Sequence, residues 1–141
     1  MITIPRLDQH DARLLIIGAE AHSREIGVPM CIAIADESGN LMAFSRMDGG
    51  KVTSAIIAQD KAFTAAAARK ATHEYGISSQ PGAPAYGIAS TIGGRLVVVG
   101  GGLPVLFDGE VVGGIGVSSG SPAQDQAVAQ AGIDHWLANR T

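Results

Sequence analysis

The stretch LVVVGGGLPVLFDGEVVGGIGVSSG, residues 96–120, decides the fold of this 141-residue chain. Its pattern predicts three strands, followed by a glycine- and serine-rich corner that opens a helix. Eight of the nineteen glycines in the chain fall within it. Glycine loses much backbone entropy on folding and offers no side chain for packing. We therefore expect these glycines to allow the close approach of a ligand, a second backbone or another subunit.

The three predicted strands of this stretch are 96–99, 103–107 and 110–117. Asp108-Gly109 is a strong signal for the hairpin that joins the last two. Ser121 follows the corner, with a proline next to it and Gln124 three residues later. A capping side chain, a first-turn proline and a capping-box partner together predict the start of a helix that ends near Asn139.

The pattern of the first 95 residues predicts two helices, two strands and a long loop. Their bounds are a helix from Asp8 to Ile26, strands at 30–35 and 41–46, a long helix over 54–75 that ends at Gly76, and a loop over 77–95. Asp8 and Asp11 form a capping box, and Gly27 is suited to the left-handed position after the first helix. The 30–35 strand alternates large and small apolar side chains, which predicts a central strand covered on both faces.

This element order predicts an α+β fold: a five-stranded, mostly antiparallel sheet flanked by helices, similar to the layers of PAS domains and profilin. We expect residues 1–141 to form a single domain, because the length suits one core. Charged residues are only 16% of the chain, which predicts a surface partly buried in a homo-oligomer.

The net charge of −3, with scattered Lys and Arg, gives no basic face for nucleic acid. No apolar run reaches the roughly 20 residues of a membrane span, and no secretory signal is recognisable. We therefore expect a cytoplasmic chain with no membrane partner. Cys31 is the single cysteine, so no disulfide can form within the chain, and the four histidines show no metal-ligand spacing.

Three charged residues are predicted to occupy confined places: Arg46 and Asp48 at a strand end, and Lys61 in an otherwise apolar helix. One interpretation is a structural ion pair in which Asp48 holds Arg46 or Lys61. The other is a site in which Arg46 or Lys61 binds an acidic substrate group while Asp48 or Lys61 moves a proton. Burial would lower the pKa of such a lysine.

The corner GIGVSSG does not have the spacing of a dinucleotide fingerprint, and its strand comes from a hairpin rather than a βαβ unit. Free backbone N–H groups at a helix start attract carboxylates and phosphates. The hydroxyls of Ser118 and Ser119 could add to such a site, or they could simply cap a tight corner. Both interpretations remain open at this point.

Several segments together resemble the GlcG/HbpS family, which also includes the C-terminal domain of PduO-type proteins. They are IAIADESGNLMAFSRMDGG, the helix containing KAFTAA, GGGLPV, and GEVVGGIGVSSGSPAQDQAVAQAG. The resemblance spans about residues 7–137. It implies a five-stranded sheet, higher homo-oligomers (commonly octamers), and haem as ligand or cofactor. The family pattern falls on Arg46, Met47, Asp48, Lys61, Thr64, Gly100, Gly101, Gly102, Gly116, Val117, Ser118 and Asp125.

Three functions follow as hypotheses. The first is a haem- or tetrapyrrole-binding protein with haem-degrading activity. The second is a cytoplasmic lyase or isomerase for a small aromatic or carboxylated metabolite, such as a hydroxylaminobenzoate, since some relatives resemble such enzymes. The third is a non-catalytic sensory or structural oligomer. We expect Arg46, Asp48 and Lys61 to meet Gly100–Gly102 and Ser118 in one pocket that binds the small molecule.

Overall fold

The computed structural model describes residues 1–141 and shows an α+β fold with one four-stranded antiparallel sheet. Four helices flank the sheet, and two 3₁₀ turns lie in the long loop. The elements are α1 Gln9–Ile26, β1 Cys31–Asp36, β2 Leu41–Arg46, α2 Val52–Ala67, α3 Thr72–Ser78, the turns Ile88–Ser90 and Ile92–Gly94, β3 Gly102–Phe107, β4 Glu110–Ser118 and α4 Pro122–Asn139. No helix combines the length and the apolar character needed to cross a membrane.

The strand order is β2-β1-β4-β3, with every neighbouring pair antiparallel. The prediction of five strands is therefore wrong, and the missing strand is 96–99. This segment lies along α2 and α3 instead of joining a sheet edge. Val97 N donates to the Thr64 hydroxyl at 3.0 Å, and the Val98 carbonyl lies against Gly76 of α3. Residues 96–99, whose composition is that of a strand, are therefore held by the Thr64 side chain and by α3 instead of by a neighbouring strand.

The long helix predicted over 54–75 is two helices. After Ala68 the chain turns through Arg69, whose φ is 56°. Lys70 N donates to Ala65 O and Arg69 N to Ala66 O, which is the hydrogen-bond pattern of a Schellman ending. Glycine usually occupies that left-handed position, so an arginine there gives no sequence signal for the end of α2. Gly76, predicted as the helix end, lies inside α3.

The predicted helix ends of α1 and α4 are confirmed. The side chains of Asp8 and Asp11 cap each other's backbone at the start of α1, and Gly27 ends that helix with φ 70°. Ser121 and Gln124 form the corresponding box at the start of α4. The hairpin at Asp108-Gly109 is also confirmed, with both residues at positive φ as a type I′ turn requires.

The sheet divides the interior into two layers. Met30, Ile32 and Ile34 face the larger layer, which is filled by α1 and α4 and includes Trp136. Cys31, Ala33 and Ala35 face a smaller layer made almost entirely of alanines from α2. Both faces of β1 are fully buried, which confirms the prediction from alternating side-chain size.

Glycines of β3 and β4 let α2 lie directly on the sheet. A methyl group added at Gly114 would stand 2.6 Å from Ala62 O, and one at Gly102 would stand 2.6 Å from Lys61 O. At Gly116 the added carbon would be closer still to Ala58 O and Ala62 N. These three glycines therefore serve backbone-to-backbone packing, one of the three uses expected from the sequence.

Gly116→Ala should destabilise the protein by about 1–3 kcal/mol, because overpacking a closed layer forces the helix away from the sheet. Gly100→Ala is the matched control, since its added carbon would have no neighbour closer than 3.5 Å. The control should stay within about 1 kcal/mol of the wild type. Denaturant unfolding measures both, and equal stabilities for the two variants would contradict the packing argument.

Candidate functional site

Lys61 forms a buried ion pair with Asp125. Its Nζ donates to Asp125 Oδ2 at 3.0 Å and to the Val117 carbonyl at 2.8 Å. The two side chains are only 2% and 4% exposed. The predicted ion pair therefore exists at Lys61, but its carboxylate comes from α4 and not from Asp48.

The second carboxylate oxygen of Asp125 holds the corner that follows β4. Asp125 Oδ1 accepts from Gly120 N at 2.9 Å. Gly101 lies over the same group, with φ 125° and with its missing side chain directed at Lys61 Nζ and Asp125 Cβ. Because any side chain at Gly101 would collide with the pair, this glycine closes the site from the β3 side.

Burial lowers the pKa of Lys61, while the charge of Asp125 and its hydrogen bond oppose that shift. A buried lysine of lowered pKa is a candidate general base only if a substrate can reach it. Here both hydrogen bonds of Nζ lead inward and the side chain is almost inaccessible. The geometry favours a structural tie between α2, β4 and α4 over proton transfer.

Arg46 and Asp48 line a different, open depression of about 400 Å³, together with Glu20, Arg24, Ser45 and Met47. Both residues are exposed. Lys61 is absent from this lining, so the structure does not bring Arg46, Asp48 and Lys61 into the expected single pocket. A role for Arg46 and Asp48 in ligand binding or catalysis stays a prediction.

Cys31 lies between Arg46 and Ser118 in the register of the sheet. Ser118 is 5% exposed and its hydroxyl donates to Ser54 Oγ at 3.2 Å. Ser119 Oγ accepts from Lys51 N at 3.0 Å. The two serines thus hold the start of α2 against the corner after β4. Cys31 occupies the position between Arg46 and Ser118, so these two residues do not share an open pocket.

Two other predicted site residues also make internal bonds. The Thr64 hydroxyl lies 2.7 Å from Asp60 O and accepts from Val97 N. Gly102 N donates to Thr72 Oγ1 at 2.9 Å. These contacts fix the segment before β3 against α2 and α3. A ligand-binding role for Thr64, Ser118, Ser119, Asp125 and the three glycines stays a prediction.

His73, like the other histidines, shows no metal-ligand spacing in the sequence, and it lies on α3 next to Gly100. The His73 Cβ is 3.5 Å from the position a Gly100 side chain would take. The ring is half-buried, and its Nδ1 is buried without a hydrogen-bond partner. His73 lies in the helix that begins after the unpredicted break at Arg69, so the sequence carried no signal for this contact.

Residues 7–134 match the family model described as haem degrading protein HbpS-like. Among curated proteins, the corrinoid adenosyltransferase PduO of Salmonella typhimurium is 38% identical over 127 residues. The match covers 90% of this chain but only 38% of that protein. The chain therefore corresponds to little more than a third of PduO.

Two solved structures support the fold. The PduOC–heme complex superposes with a TM-score of 0.89 at 37% identity, covering 92% of this chain and 94% of the other. A double mutant of HbpS from Streptomyces reticuli superposes with a TM-score of 0.86 at 27% identity, covering 95% and 89%. The chain is thus similar to these proteins over nearly its whole length.

Lys61→Met should lower the free energy of unfolding by about 3–5 kcal/mol, because Asp125 would remain as a buried charge without a partner. The double variant Lys61→Met/Asp125→Leu should recover much of this loss. Arg24→Ala, which removes an exposed pair with Glu20, is the control and should cost less than about 0.5 kcal/mol. If Lys61→Met unfolds as the control does, the structural role is refuted.

Proposed function

Because the chain belongs to the HbpS-like family of haem-degrading proteins, we propose that it binds haem or a closely related iron tetrapyrrole. The observation that carries the proposal is the similarity to the PduOC–heme complex, at 37% identity and a TM-score of 0.89. That complex shows haem bound by a domain of the same architecture. Haem supplies a redox-active iron, and the chain would hold and shield it.

The residues of this chain fit such a group at the surface and not in the interior. Iron in haem proteins is held by His, Cys, Met or Tyr. Cys31 is fully buried, and burial raises the pKa of its thiol, so it is sealed from a ligand. All four histidines are at least partly exposed. The closed layer between α2 and the sheet leaves no room for a porphyrin.

The lyase or isomerase hypothesis receives no comparable support from the geometry. It expected Arg46, Asp48 and Lys61 to meet on a bound metabolite, with Arg46 or Lys61 binding its acidic group and Asp48 or Lys61 moving a proton. Lys61 is instead bound to Asp125 and Val117 O, apart from the depression that contains the other two. The haem proposal does not depend on any of these three residues.

Titration of the purified protein with haemin should give a saturable shift of the Soret band. Metal-free protoporphyrin should bind more weakly, because it lacks the coordinate bond between iron and protein. Urea-unfolded protein is the control for non-specific adsorption. Absence of a saturable shift with the folded protein would refute haem binding.

We also propose that the protein degrades the haem it binds, and the description of the family supports this activity. Haem-loaded protein in aerobic ascorbate should lose Soret absorbance and release iron. Catalase should be added, since free hydrogen peroxide bleaches haem without any enzyme. If catalase abolishes the loss, or free haemin decays equally fast, the chain binds haem without degrading it.

We further propose that the chain self-associates. Val52 and Ile56 lie one turn apart on α2 and are 69% and 68% exposed. Leu41 and Phe44 of β2 pair with Ala35 and Ala33 of β1, on the α2 side of the sheet, and add exposed apolar area. Light scattering should give a mass that is a multiple of the 14.4 kDa chain, and Ile56→Lys should lower it. A monomeric wild type would refute this proposal.

A further inference from the structure

We propose that two copies of the chain join along the outer edge of β2, so that their sheets form one continuous antiparallel sheet. The two-fold axis passes through Ser45, and Arg46 of each copy lies opposite Phe44 of the other. This inference rests on the self-association proposed above and adds the surface, the register and the residues that meet. It follows from the different states of the two edges of the sheet.

The backbone of β2 directs hydrogen-bonding groups away from the sheet at Phe44 and Arg46. Met47 N donates to the carbonyl of Met30 at 3.0 Å, in continuation of the register between β1 and β2. Hydrogen-bonded and non-hydrogen-bonded pairs alternate along an antiparallel ladder. Ser45 therefore bonds to β1, while the N–H and C=O groups of Phe44 and Arg46 point outward. Since β2 ends the strand order, no strand of the chain pairs with them.

The opposite edge of the sheet, at β3, is protected against a further strand. Val117 N donates to Gly101 O at 2.9 Å, so the same alternation directs the backbone groups of Gly102 and Pro104 outward. Gly102 N is already bonded to Thr72 Oγ1 at 2.9 Å, and Pro104 has no N–H to offer. Proline and covered edges are how native sheets prevent strand addition. The sequence of β2, LMAFSR, contains no proline, so β2 is the edge that is open to pairing.

The side chains of β2 complement a second copy of the same strand. Phe44 and Arg46 pair with Ala33 and Cys31, so both side chains lie on the α2 side of the sheet. Phe44 is 37% exposed, and the exposed Arg46 side chain belongs to no ion pair of the chain. An axis through Ser45 sets the outward groups of residue 44 against those of residue 46. It also brings each guanidinium to a phenyl ring, which forms two cation–π pairs.

Both sides of this edge leave room for the second copy. On the α1 side, the open depression of about 400 Å³ borders Ser45 and Arg46, so α1 does not cover this part of the strand. On the α2 side, Leu41, Val52 and Ile56 are 53%, 69% and 68% exposed. Their apolar area lies beside the edge, and burying it would favour association together with the backbone hydrogen bonds.

The first test uses the proximity of the two Ser45 side chains at the axis. They form a non-hydrogen-bonded pair of the new ladder, with Cα atoms about 4.5 Å apart, which is within the range of a disulfide. Ser45→Cys should therefore give a covalent dimer on mild oxidation, seen in a non-reducing gel. The wild type should give none, because Cys31 is fully buried. Ser90→Cys, in the exposed long loop, is the matched control and should cross-link much more slowly.

The second test changes the charges across the axis. Phe44→Lys places a lysine opposite Arg46 in both pairs, and like charges directly opposite each other destabilise a sheet. The dissociation constant of the dimer should rise by at least about tenfold, with a lower mass in light scattering. The double variant Phe44→Lys/Arg46→Glu sets opposite charges across the axis and should restore association. Leu106→Lys, at a position of β3 that is 49% exposed, is the control and should keep the wild-type mass.

The outcomes separate this inference from the self-association on which it rests. A monomeric wild type would refute both. An oligomeric wild type whose mass Phe44→Lys leaves unchanged would overturn the β2 pairing while self-association stands. Cross-linking of Ser45→Cys no faster than that of Ser90→Cys would overturn it as well. Restored association in the double variant would support the proposed register, since loss of apolar area alone does not predict it.

Discussion

The structure depends on the direct contact between α2 and the central strands. Gly102, Gly114 and Gly116 remove side chains where helix and sheet backbones meet, and the alanines of α2 present an equally smooth surface. Such a layer has no spare volume, because protein interiors pack at crystal-like density. The glycines that first suggested a ligand site therefore explain the architecture.

This closed layer also determines where function can lie. The one charged group inside it, Lys61, is neutralised by Asp125 and hydrogen-bonded to the end of β4. Removing either partner would leave a buried charge without a partner, which would strongly destabilise the fold. A ligand that entered here would have to break the pair and separate α2 from the sheet. We therefore expect haem to bind outside this layer.

Much of the fold could be predicted from local signals. The capping boxes of α1 and α4 and the Asp108-Gly109 turn each involve residues a few positions apart, where side chain and backbone interact whatever the tertiary context. The break at Arg69 could not be predicted in this way, because an arginine occupies a position where glycine is usual. The apolar run at 96–99 had the composition of a strand, but tertiary contacts with Thr64 and Gly76 direct it elsewhere.

The candidate site was harder to predict, since it depends on which residues meet across the fold. Lys61 and Asp125 are 64 positions apart, and nothing in their spacing favoured that pair over Lys61 with Asp48. His73 lies beside Gly100 after a break between α2 and α3 that the alanine run did not reveal. The family resemblance identified the ligand class without identifying the residue that binds it.

A crystal structure of the haem complex would test the central claim most directly. We predict haem on the surface of the chain, outside the layer between α2 and the sheet, with Lys61 Nζ still within about 3 Å of Asp125 Oδ2, as in the free chain. Haem lying between α2 and the sheet, with the Lys61–Asp125 pair broken, would contradict the account.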